Sequence, residues 1–425
     1  MTNVEDRLRK TVLPNGLVVI SETMPHFRSV SVGIWVRTGS RREPEAVGGI
    51  SHFIEHMVFK GTERRSCEEI AGAVDSVGGM LDAFTTKEIV CFSAKVLDEH
   101  LPLAFDVISD MVLRPLFAAP ELEREKRVVL EEIKMDEDNP ETSINELFLQ
   151  GFWKGHALGR PILGTRVTVD GFEREGVLDW FRKCYVPNEI LIAAAGNVEH
   201  ARLVDLAMAA FGSLNPATNG YHESVPEPHA LIQVRRKRSL EQAHVFVGVP
   251  AFAAADPRRY PMAVLNSILG SGMSSRLFQN IRERQGLAYA VMSDTMPYRD
   301  VGLLSVYAGT SGEKVEGLVR SVIDEFRRMK QEPVSAEELT RAKEQLKGSL
   351  TLSLESTGAR MSNRSRQEIY FGRFQSLEEI FAEVDAVTRE QVQELAREIF
   401  VTDRIALAAL GRMDGFRPGR DLLSC

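Results

Sequence analysis

The stretch His52-Phe53-Ile54-Glu55-His56 decides how the rest of this sequence is interpreted. If the stretch is helical, His52 and His56 are four residues apart and lie one turn above the other on the same face. Two imidazole nitrogens at that spacing reach a single tetrahedral cation at about 2.0–2.1 Å each. Glu55 then projects beside the cation, where a general base takes a proton from metal-bound water. The stretch therefore predicts two ligands and the base of a catalytic zinc site.

A catalytic zinc ion is bound by three protein ligands and keeps its fourth position open for water or substrate. The two histidines therefore need a third protein ligand. The helix predicted over about 120–135 carries Glu125, Val128, Val129 and Glu132 on one continuous stripe. Carboxylates on an apolar stripe are costly to bury unless they meet a cation or hydrogen-bond donors. One glutamate bound to zinc, with the other hydrogen-bonded to the far nitrogen of a histidine, would remove that cost. A surface helix rich in acidic residues is the alternative.

Turn and strand signals divide the chain into two similar halves. Asn15-Gly16 between apolar runs predicts a hairpin, and strand and helix patterns follow up to the strand Ile190–Ala195. Turn formers without periodicity predict a linker over 214–240. The order of elements then returns in outline and ends in the strand Ile405–Leu410. We therefore predict an α+β fold with two domains from an internal duplication, each a mostly antiparallel sheet flanked by helices: a zinc-binding domain over 1–213 and a similar domain over 241–425.

Composition excludes several classes of protein. The 60 acidic and 52 basic residues give a net charge of -8, which argues against a nucleic-acid-binding surface. No uninterrupted apolar run is long enough for a membrane span, and the segment 1–9 has no signal-peptide or transit-peptide pattern. The four cysteines are scattered, which favours reduced thiols over disulfides. These features predict a cytoplasmic protein that binds neither nucleic acid nor membrane.

The surroundings of the motif carry a resemblance to a known family. The segment Gly48–Thr62, which reads GGISHFIEHMVFKGT, resembles the signature of the pitrilysin family of inverted-motif zinc peptidases. That family includes insulin-degrading enzyme and the mitochondrial processing peptidase, and this chain is most similar to its short bacterial members. Further matches are Asn139-Pro140, Leu163-Gly164-Thr165 and Tyr185-Val186-Pro187-Asn188. The resemblance implies one zinc ion per chain, held by His52, His56 and Glu132, with Glu125 supporting the metal shell and Glu55 as the catalytic base.

The second half carries a motif of its own. The glycine-rich run Gly270–Phe278 lacks the lysine and the Ser/Thr of a phosphate-binding loop, so a nucleotide site is excluded. The family resemblance implies that this turn lines the substrate chamber and that Arg282 and Tyr289 lie near the scissile peptide. A guanidinium and a phenol supply donors to a substrate carbonyl and its developing oxyanion. Alternatively, Arg282 is a plain surface cation and Tyr289 an ordinary strand residue.

A short strand predicted beside the metal helix is the candidate substrate grip. In the family, a strand here is an exposed edge that adds the substrate as one more strand, main chain to main chain. The family usually has Asn at position 82, and the Asp here adds a charge near the substrate backbone. The matching substrate-binding residues are Asp82, Ala83, Phe84 and Thr85.

These features together predict a zinc-dependent endopeptidase. It is expected to cleave peptides or unfolded polypeptide segments inside an enclosed chamber, with Glu55 activating zinc-bound water. Long family members fuse two such units, so we predict a homodimer in which Arg282 and Tyr289 of one subunit complete the zinc site of its partner. An active subunit that needs a different partner chain is one alternative. A non-catalytic structural or partner subunit of the same fold is the other.

Overall fold

The structure is a computed structural model that describes residues 7–217, 223–413 and 415–425. The first six residues of the amino-terminal segment and residues 218–222 of the predicted linker lie outside this range. The strands are β1 Leu8–Val12, β2 Val18–Thr23, β3 Ser29–Val36, β4 Met80–Thr85, β5 Val90–Leu97, β6 Ile190–Gly196, β7 Ile232–Arg236, β8 Ala243–Ala251, β9 Ala290–Pro297, β10 Gly302–Thr310 and β11 Ala406–Gly411. The helices are α1 Ile50–Val58, α2 Cys67–Asp75, α3 Leu101–Leu113, α4 Ala119–Asp138, α5 Pro140–Phe152, α6 Arg166–Asp170, α7 Arg174–Cys184, α8 His200–Phe211, α9 Arg259–Leu269, α10 Val315–Gln331, α11 Ala336–Ser353, α12 Thr357–Phe371, α13 Leu377–Ala386 and α14 Arg389–Ile399.

The described chain forms two compact units, each built on one sheet. Among the described residues, unit 1 comprises 7–134, 160–217, 223 and 353–374, and unit 2 comprises 135–159, 224–352, 375–413 and 415–425. The sheet of unit 1 has the order β1-β2-β6-β3-β5-β4, in which only the β2–β6 pair is parallel. The predicted Asn15-Gly16 hairpin is confirmed, because β1 and β2 pair antiparallel around Gly16 at φ +87°.

The sheet of unit 2 repeats the core of this topology. Its order is β7-β11-β8-β10-β9, with β7 parallel to β11 and the other pairs antiparallel. The strands β2-β6-β3-β5-β4 of unit 1 correspond to β7-β11-β8-β10-β9 of unit 2. In each unit, the first of these strands in the chain is parallel to the last, and the second, fourth and third strands follow across the sheet. The predicted fold class is therefore confirmed: two similar units, each a mostly antiparallel sheet flanked by helices.

Each sheet is covered on one face by a helix from the other half of the chain. In unit 1, α1, α2, α3, α4, α7 and α8 pack on one face, and α12 covers the other through Met361. In unit 2, α5 covers one face of the sheet through Ile144, Phe148 and Phe152. Sheets with both faces buried need two apolar helix layers, and this exchange supplies the second layer of each unit.

Part of the predicted linker forms a strand. Residues 232–236 are β7, and the two arginines of its exposed end belong to the charged run that follows. The sequence of this strand resembles a linker because β7 lies at a sheet edge and its side chains are at most partly buried, so no apolar pattern marks it. Within the described residues, no helix combines the length and the apolar character needed to cross a bilayer.

Local chemistry sets where the helix of the metal motif begins. Gly49 precedes α1 at φ +94°, and a Cβ there would lie 2.5 Å from the carbonyl oxygen of Leu163. The buried Glu43 carboxylate accepts hydrogen bonds from the backbone N–H groups of Gly49 at 2.6 Å and Ser51 at 2.8 Å. Burial raises the pKa of Glu43 to about 7, against the effect of these two bonds. The N-terminus of α1 is thereby capped by a side chain that lies well outside the motif.

Candidate metal centre

Both motif histidines lie on one face of helix α1, as the four-residue spacing predicts, and in the structure this face is directed at Glu132 of helix α4. Nε2 of His56 lies 3.4 Å from Oε2 of Glu132, and Nε2 of His52 lies 3.8 Å from the same oxygen. One ligand atom from each of these three residues lies within 4.8 Å of the other two. Within the described residues this is the one cluster of at least three His, Cys, Asp or Glu side chains with such spacing.

The geometry of this cluster fits zinc. Donor atoms at about 2.0–2.1 Å from a tetrahedral zinc are about 3.3–3.4 Å from one another. The separations of 3.4 and 3.8 Å between Glu132 and the two histidines are close to this value, and all three donor atoms lie within 4.8 Å of one another. Two imidazoles and one carboxylate are also a donor set found in catalytic zinc sites, and they leave the fourth position open.

Glu125 lies behind His56 rather than in the cluster. Its side chain is 2 % exposed, and its Oε2 is 3.2 Å from Nδ1 of His56. Its other oxygen is 2.8 Å from Nζ of Lys60. Burial by itself raises the pKa of Glu125, but the hydrogen bonds with His56 and Lys60 outweigh it and the pKa is lowered. An ionised Glu125 thus fixes the ring of His56 with Nε2 toward the cluster.

The predicted stripe on α4 is correct for its glutamates and wrong for one valine. Val129 is fully buried and Glu132 is partly exposed at the cluster, but Val128 is 40 % exposed. The buried apolar side of α4 is therefore narrower than the sequence pattern indicates. It packs into the core of unit 1 through Leu122, Val129 and Ile133, and Val128 lies outside this contact.

Glu55 lies beside the cluster and is held by one hydroxyl. Oγ1 of Thr85 donates a hydrogen bond of 2.5 Å to Oε2 of Glu55, which leaves Oε1 without that contact. Burial is the largest cause of a raised pKa at Glu55, and repulsion from Glu132 and Asp82 adds to it. A carboxylate whose proton affinity is raised in this way is suited to accept a proton and return it.

The two histidines have different electrostatic environments. Burial lowers the pKa of His52 to about 3, with a smaller contribution from His56, so its ring is neutral at physiological pH. At His56, burial lowers the pKa, but the Glu125 hydrogen bond and the neighbouring carboxylates of Glu132 and Glu55 raise it overall. This concentration of negative charge favours a bound cation.

The predicted substrate strand is β4, one of the two edge strands of the sheet in unit 1, and its outer side pairs with no other strand among the described residues. Leu81 and Ala83 pack against the core that includes α1, and Phe84 lies on the opposite face against Trp35. Asp82 is exposed, whereas the hydroxyl of Thr85 is engaged with Glu55. The structure therefore brings this strand beside the metal motif.

Arg282 and Tyr289 lie together in unit 2. Arg282 is in a π-helix, Phe278–Arg284, and its guanidinium stacks 4.6 Å from the ring of Phe278 and 4.9 Å from that of Tyr289. Tyr289 is 80 % exposed. Both residues line an open cavity of about 410 Å³ together with Thr310 and Lys314. Their side chains are thus paired and accessible, as an interaction with a polypeptide requires.

Two residues of the site were not singled out by the sequence. Lys60 lies four residues after His56 in the sequence and two residues beyond the end of α1, and this short separation is the one signal that places its ammonium near His56 and the Glu125 behind it. The cap by Glu43 has no sequence signal of this kind, because its distance from α1 depends on the course of the intervening loop.

Comparison with known proteins shows which family the chain is similar to. The family described as "Insulinase (Peptidase family M16)" matches residues 18–166, and "Peptidase M16 inactive domain" matches residues 171–346. The "Uncharacterized zinc protease YmxG" of Bacillus subtilis (strain 168) is 40% identical over 396 residues, which span 93% of this chain and 96% of that protein.

Solved structures show the same fold at low sequence identity. A protease from Helicobacter pylori has a TM-score of 0.89 and 20% identity, and the match covers 95% of this chain and 99% of that one. The peptidase M16 inactive domain from Pseudomonas fluorescens has a TM-score of 0.89 and 20% identity, with coverage of 97% and 99%. The family matches cover both halves of the chain, and the 40% identity to a bacterial relative of similar size extends over nearly the whole length of both proteins. It follows that this chain is a short bacterial-type member of peptidase family M16.

Proposed function

We propose that this protein is a zinc-dependent endopeptidase that cleaves peptides or unfolded polypeptide segments. The observation that carries the proposal is the convergence of His52, His56 and Glu132 next to a Glu55 that is held in place by a hydroxyl. Relatives named as zinc proteases support the same assignment. A single zinc ion per chain fits the three donor atoms.

The reaction proposed is hydrolysis of a peptide bond. A zinc ion held by His52, His56 and Glu132 would supply Lewis-acid polarisation of the scissile carbonyl and a lowered pKa of its water. Glu55 accepts a proton from the attacking water through Oε1, while Thr85 holds Oε2. Glu55 then delivers that proton to the leaving amine as the C–N bond breaks, which restores the carboxylate. Glu125 acts on His56 and takes no proton in this scheme.

The edge strand β4 supports an extended polypeptide as substrate. A chain that adds to a free sheet edge must itself be unfolded over several residues, because it contributes its own backbone N–H and C=O groups. Folded proteins are therefore expected to resist cleavage. We further propose that cleavage takes place inside an enclosed chamber formed by a homodimer, located in the cytoplasm.

In the proposed homodimer, Arg282 and Tyr289 of one subunit complete the zinc site of its partner. The support is that both side chains are accessible and paired on unit 2, where they present donors suited to a substrate carbonyl. A symmetric dimer would form two such composite sites.

A second candidate function is a non-catalytic structural or partner subunit. It is favoured by the description "inactive domain" of the family that matches residues 171–346, and of a solved neighbour. The complete set of His52, Glu55, His56 and Glu132 in unit 1 favours the enzyme.

The first experiment compares wild type with Glu55→Gln on an unfolded casein-type substrate, with the zinc content of both proteins measured. We expect equal zinc content and a loss of about 10²–10⁴-fold in cleavage rate, because general-base catalysis contributes that much. Glu131→Gln, an exposed glutamate of α4 that is paired with Lys134, is the matched control and should cleave normally. Equal cleavage by wild type and Glu55→Gln would favour the non-catalytic subunit.

The composite site is tested by mixing two inactive variants. Glu55→Gln and Arg282→Ala are each expected to be inactive, and their heterodimer contains one site with both residues intact. Statistical subunit exchange should restore about a quarter of the wild-type activity, since half of the dimers are mixed and each has one competent site. No restoration, together with a monomeric mass in light scattering, would refute the dimer.

A further inference from the structure

The free edge of β4 has a defined pattern of outward backbone groups. Thr86 N–H donates to the carbonyl of Ile89 at 2.8 Å, so these two residues form a hydrogen-bonded pair at the end of the β4–β5 hairpin. Hydrogen-bonded and non-hydrogen-bonded pairs alternate along an antiparallel ladder. In the register of β4 and β5, the N–H and C=O groups of Leu81, Ala83 and Thr85 therefore point away from β5, toward the free edge.

One of these outward groups is already occupied. Oδ1 of Asp82 accepts a hydrogen bond of 3.0 Å from the backbone N–H of Ala83. A polypeptide that adds to this edge needs the same N–H as a donor for its own carbonyl. The Asp82 carboxylate and an entering chain thus compete for a single donor in the centre of the strand.

The Asp82 charge is not compensated from within the protein. Among the residues that the structure describes, Asp82 has no lysine or arginine partner, and its side chain is exposed. The nearby carboxylates of Glu55 and Glu132 add negative charge to the same region, and repulsion from Asp82 is one of the influences on Glu55. A cation brought by the substrate is the group that would compensate this charge.

We propose that Asp82 is a specificity-determining residue that selects substrates with a lysine or arginine opposite it. In the competition for the Ala83 N–H, a basic side chain on the entering chain draws the carboxylate away and pairs with it. A neutral or acidic side chain offers no such exchange, so the carboxylate continues to block the donor. This inference rests on the proposed peptidase function.

The pairing register names the substrate residue involved. In a substrate chain that runs antiparallel to β4, one residue forms hydrogen bonds with Ala83. The next substrate residue toward the carboxyl terminus then lies opposite Asp82. Directly opposed residues point to the same face, with Cβ atoms about 4.5–5.5 Å apart, which is within reach of an ion pair. The selection therefore applies to one substrate position and not to the overall charge of the peptide.

The experiment is a scan of a neutral host peptide in which lysine or glutamine is placed at each position in turn. Binding is measured on the Glu55→Gln protein by fluorescence anisotropy, and cleavage by wild type as kcat/KM. We expect one position at which lysine is preferred over glutamine by about fivefold in both measurements, as an exposed cross-strand ion pair allows.

Variants of Asp82 separate its charge from its hydrogen bond. Asp82→Asn keeps an acceptor for the Ala83 N–H but loses the charge, so the lysine preference should disappear. Asp82→Ala frees the N–H, so neutral peptides should also bind more tightly than they bind to wild type. Glu175→Gln, which removes an exposed negative charge from α7 of the same unit, is the matched control and should keep the preference.

Three results would overturn the inference. They are a lysine preference that survives in Asp82→Asn, a wild type without positional preference, and aggregation of Asp82→Ala with unchanged selectivity. The last would make Asp82 a device that protects the sheet edge. These results differ from a failure of the proposed function, which would appear as the absence of metal-dependent cleavage, because the binding measurement needs no turnover.

Discussion

Replacing Glu125 by glutamine tests whether the residue behind His56 sets the affinity for zinc. Glu125 is an ionised carboxylate, 2 % exposed, 3.2 Å from Nδ1 of His56 and 2.8 Å from Nζ of Lys60. Glutamine preserves the shape and one acceptor but removes the negative charge. Lys60 then lies without a counter-ion near the metal, and its positive charge opposes cation binding.

The expected loss follows from these contacts. Removing a carboxylate that orients a metal-bound histidine typically costs 10–100-fold in metal affinity. That factor corresponds to about 1.4–2.7 kcal/mol. We expect the zinc affinity of Glu125→Gln to fall by a factor within this range, because the Glu125 carboxylate is buried and contacts both His56 and Lys60. The assay is competition for zinc against a chromophoric chelator at neutral pH, with circular dichroism to verify the fold.

The matched control is Glu131→Gln on the same helix. Glu131 is 67% exposed and pairs with Lys134 on the surface, where ion pairs contribute little, so zinc affinity should change by less than about twofold. The reasoning would be refuted if folded Glu125→Gln bound zinc within about twofold of wild type.

Three further predictions follow from other contacts. Thr85→Val should lower kcat about tenfold with zinc affinity unchanged, since it removes the bond that holds Glu55, and Thr85→Ser should restore activity; equal kcat in the valine variant would contradict this. Glu338→Gln should destabilise unit 2 by about 1–2 kcal/mol at neutral pH in urea titrations, after allowance for solvent screening. Burial raises the pKa of Glu338, but its bonds with Arg276 and Ser335 lower it overall from 4.5 to about 2. Its contribution is therefore complete above pH 4.5 and is lost as the pH falls toward 2, so a difference that stays constant with pH would refute the assignment. Removal of zinc by a chelator should lower the midpoint of thermal unfolding, because the ion binds the native state and links α1 to α4; 1,000-fold excess over Kd corresponds to about 4 kcal/mol. An unchanged midpoint would contradict that link.

Much of the fold was predictable because its signals are local. The hairpin at Asn15-Gly16 and the helix of the metal motif depend on turn chemistry and on apolar periodicity within a few residues. The capping box between Ser66 and Glu69 at the start of α2 depends on the same kind of local spacing. The sequence predicts a linker where the structure has strand β7, because the pairing of β7 with β11 joins segments that are far apart in the chain.

Sequence by itself determined the chemistry available at each element: two histidines and a base on one helix, two carboxylates on another, and a short strand. Only the tertiary structure decided how these elements meet. It placed Glu132 with the histidines and Glu125 with Lys60, pointed the N–H of Ala83 toward a free edge, and exchanged α5 and α12 between the halves. The physical reason is that residue spacing sets directions within an element, whereas the distances between elements are set by burial of apolar faces along the whole chain.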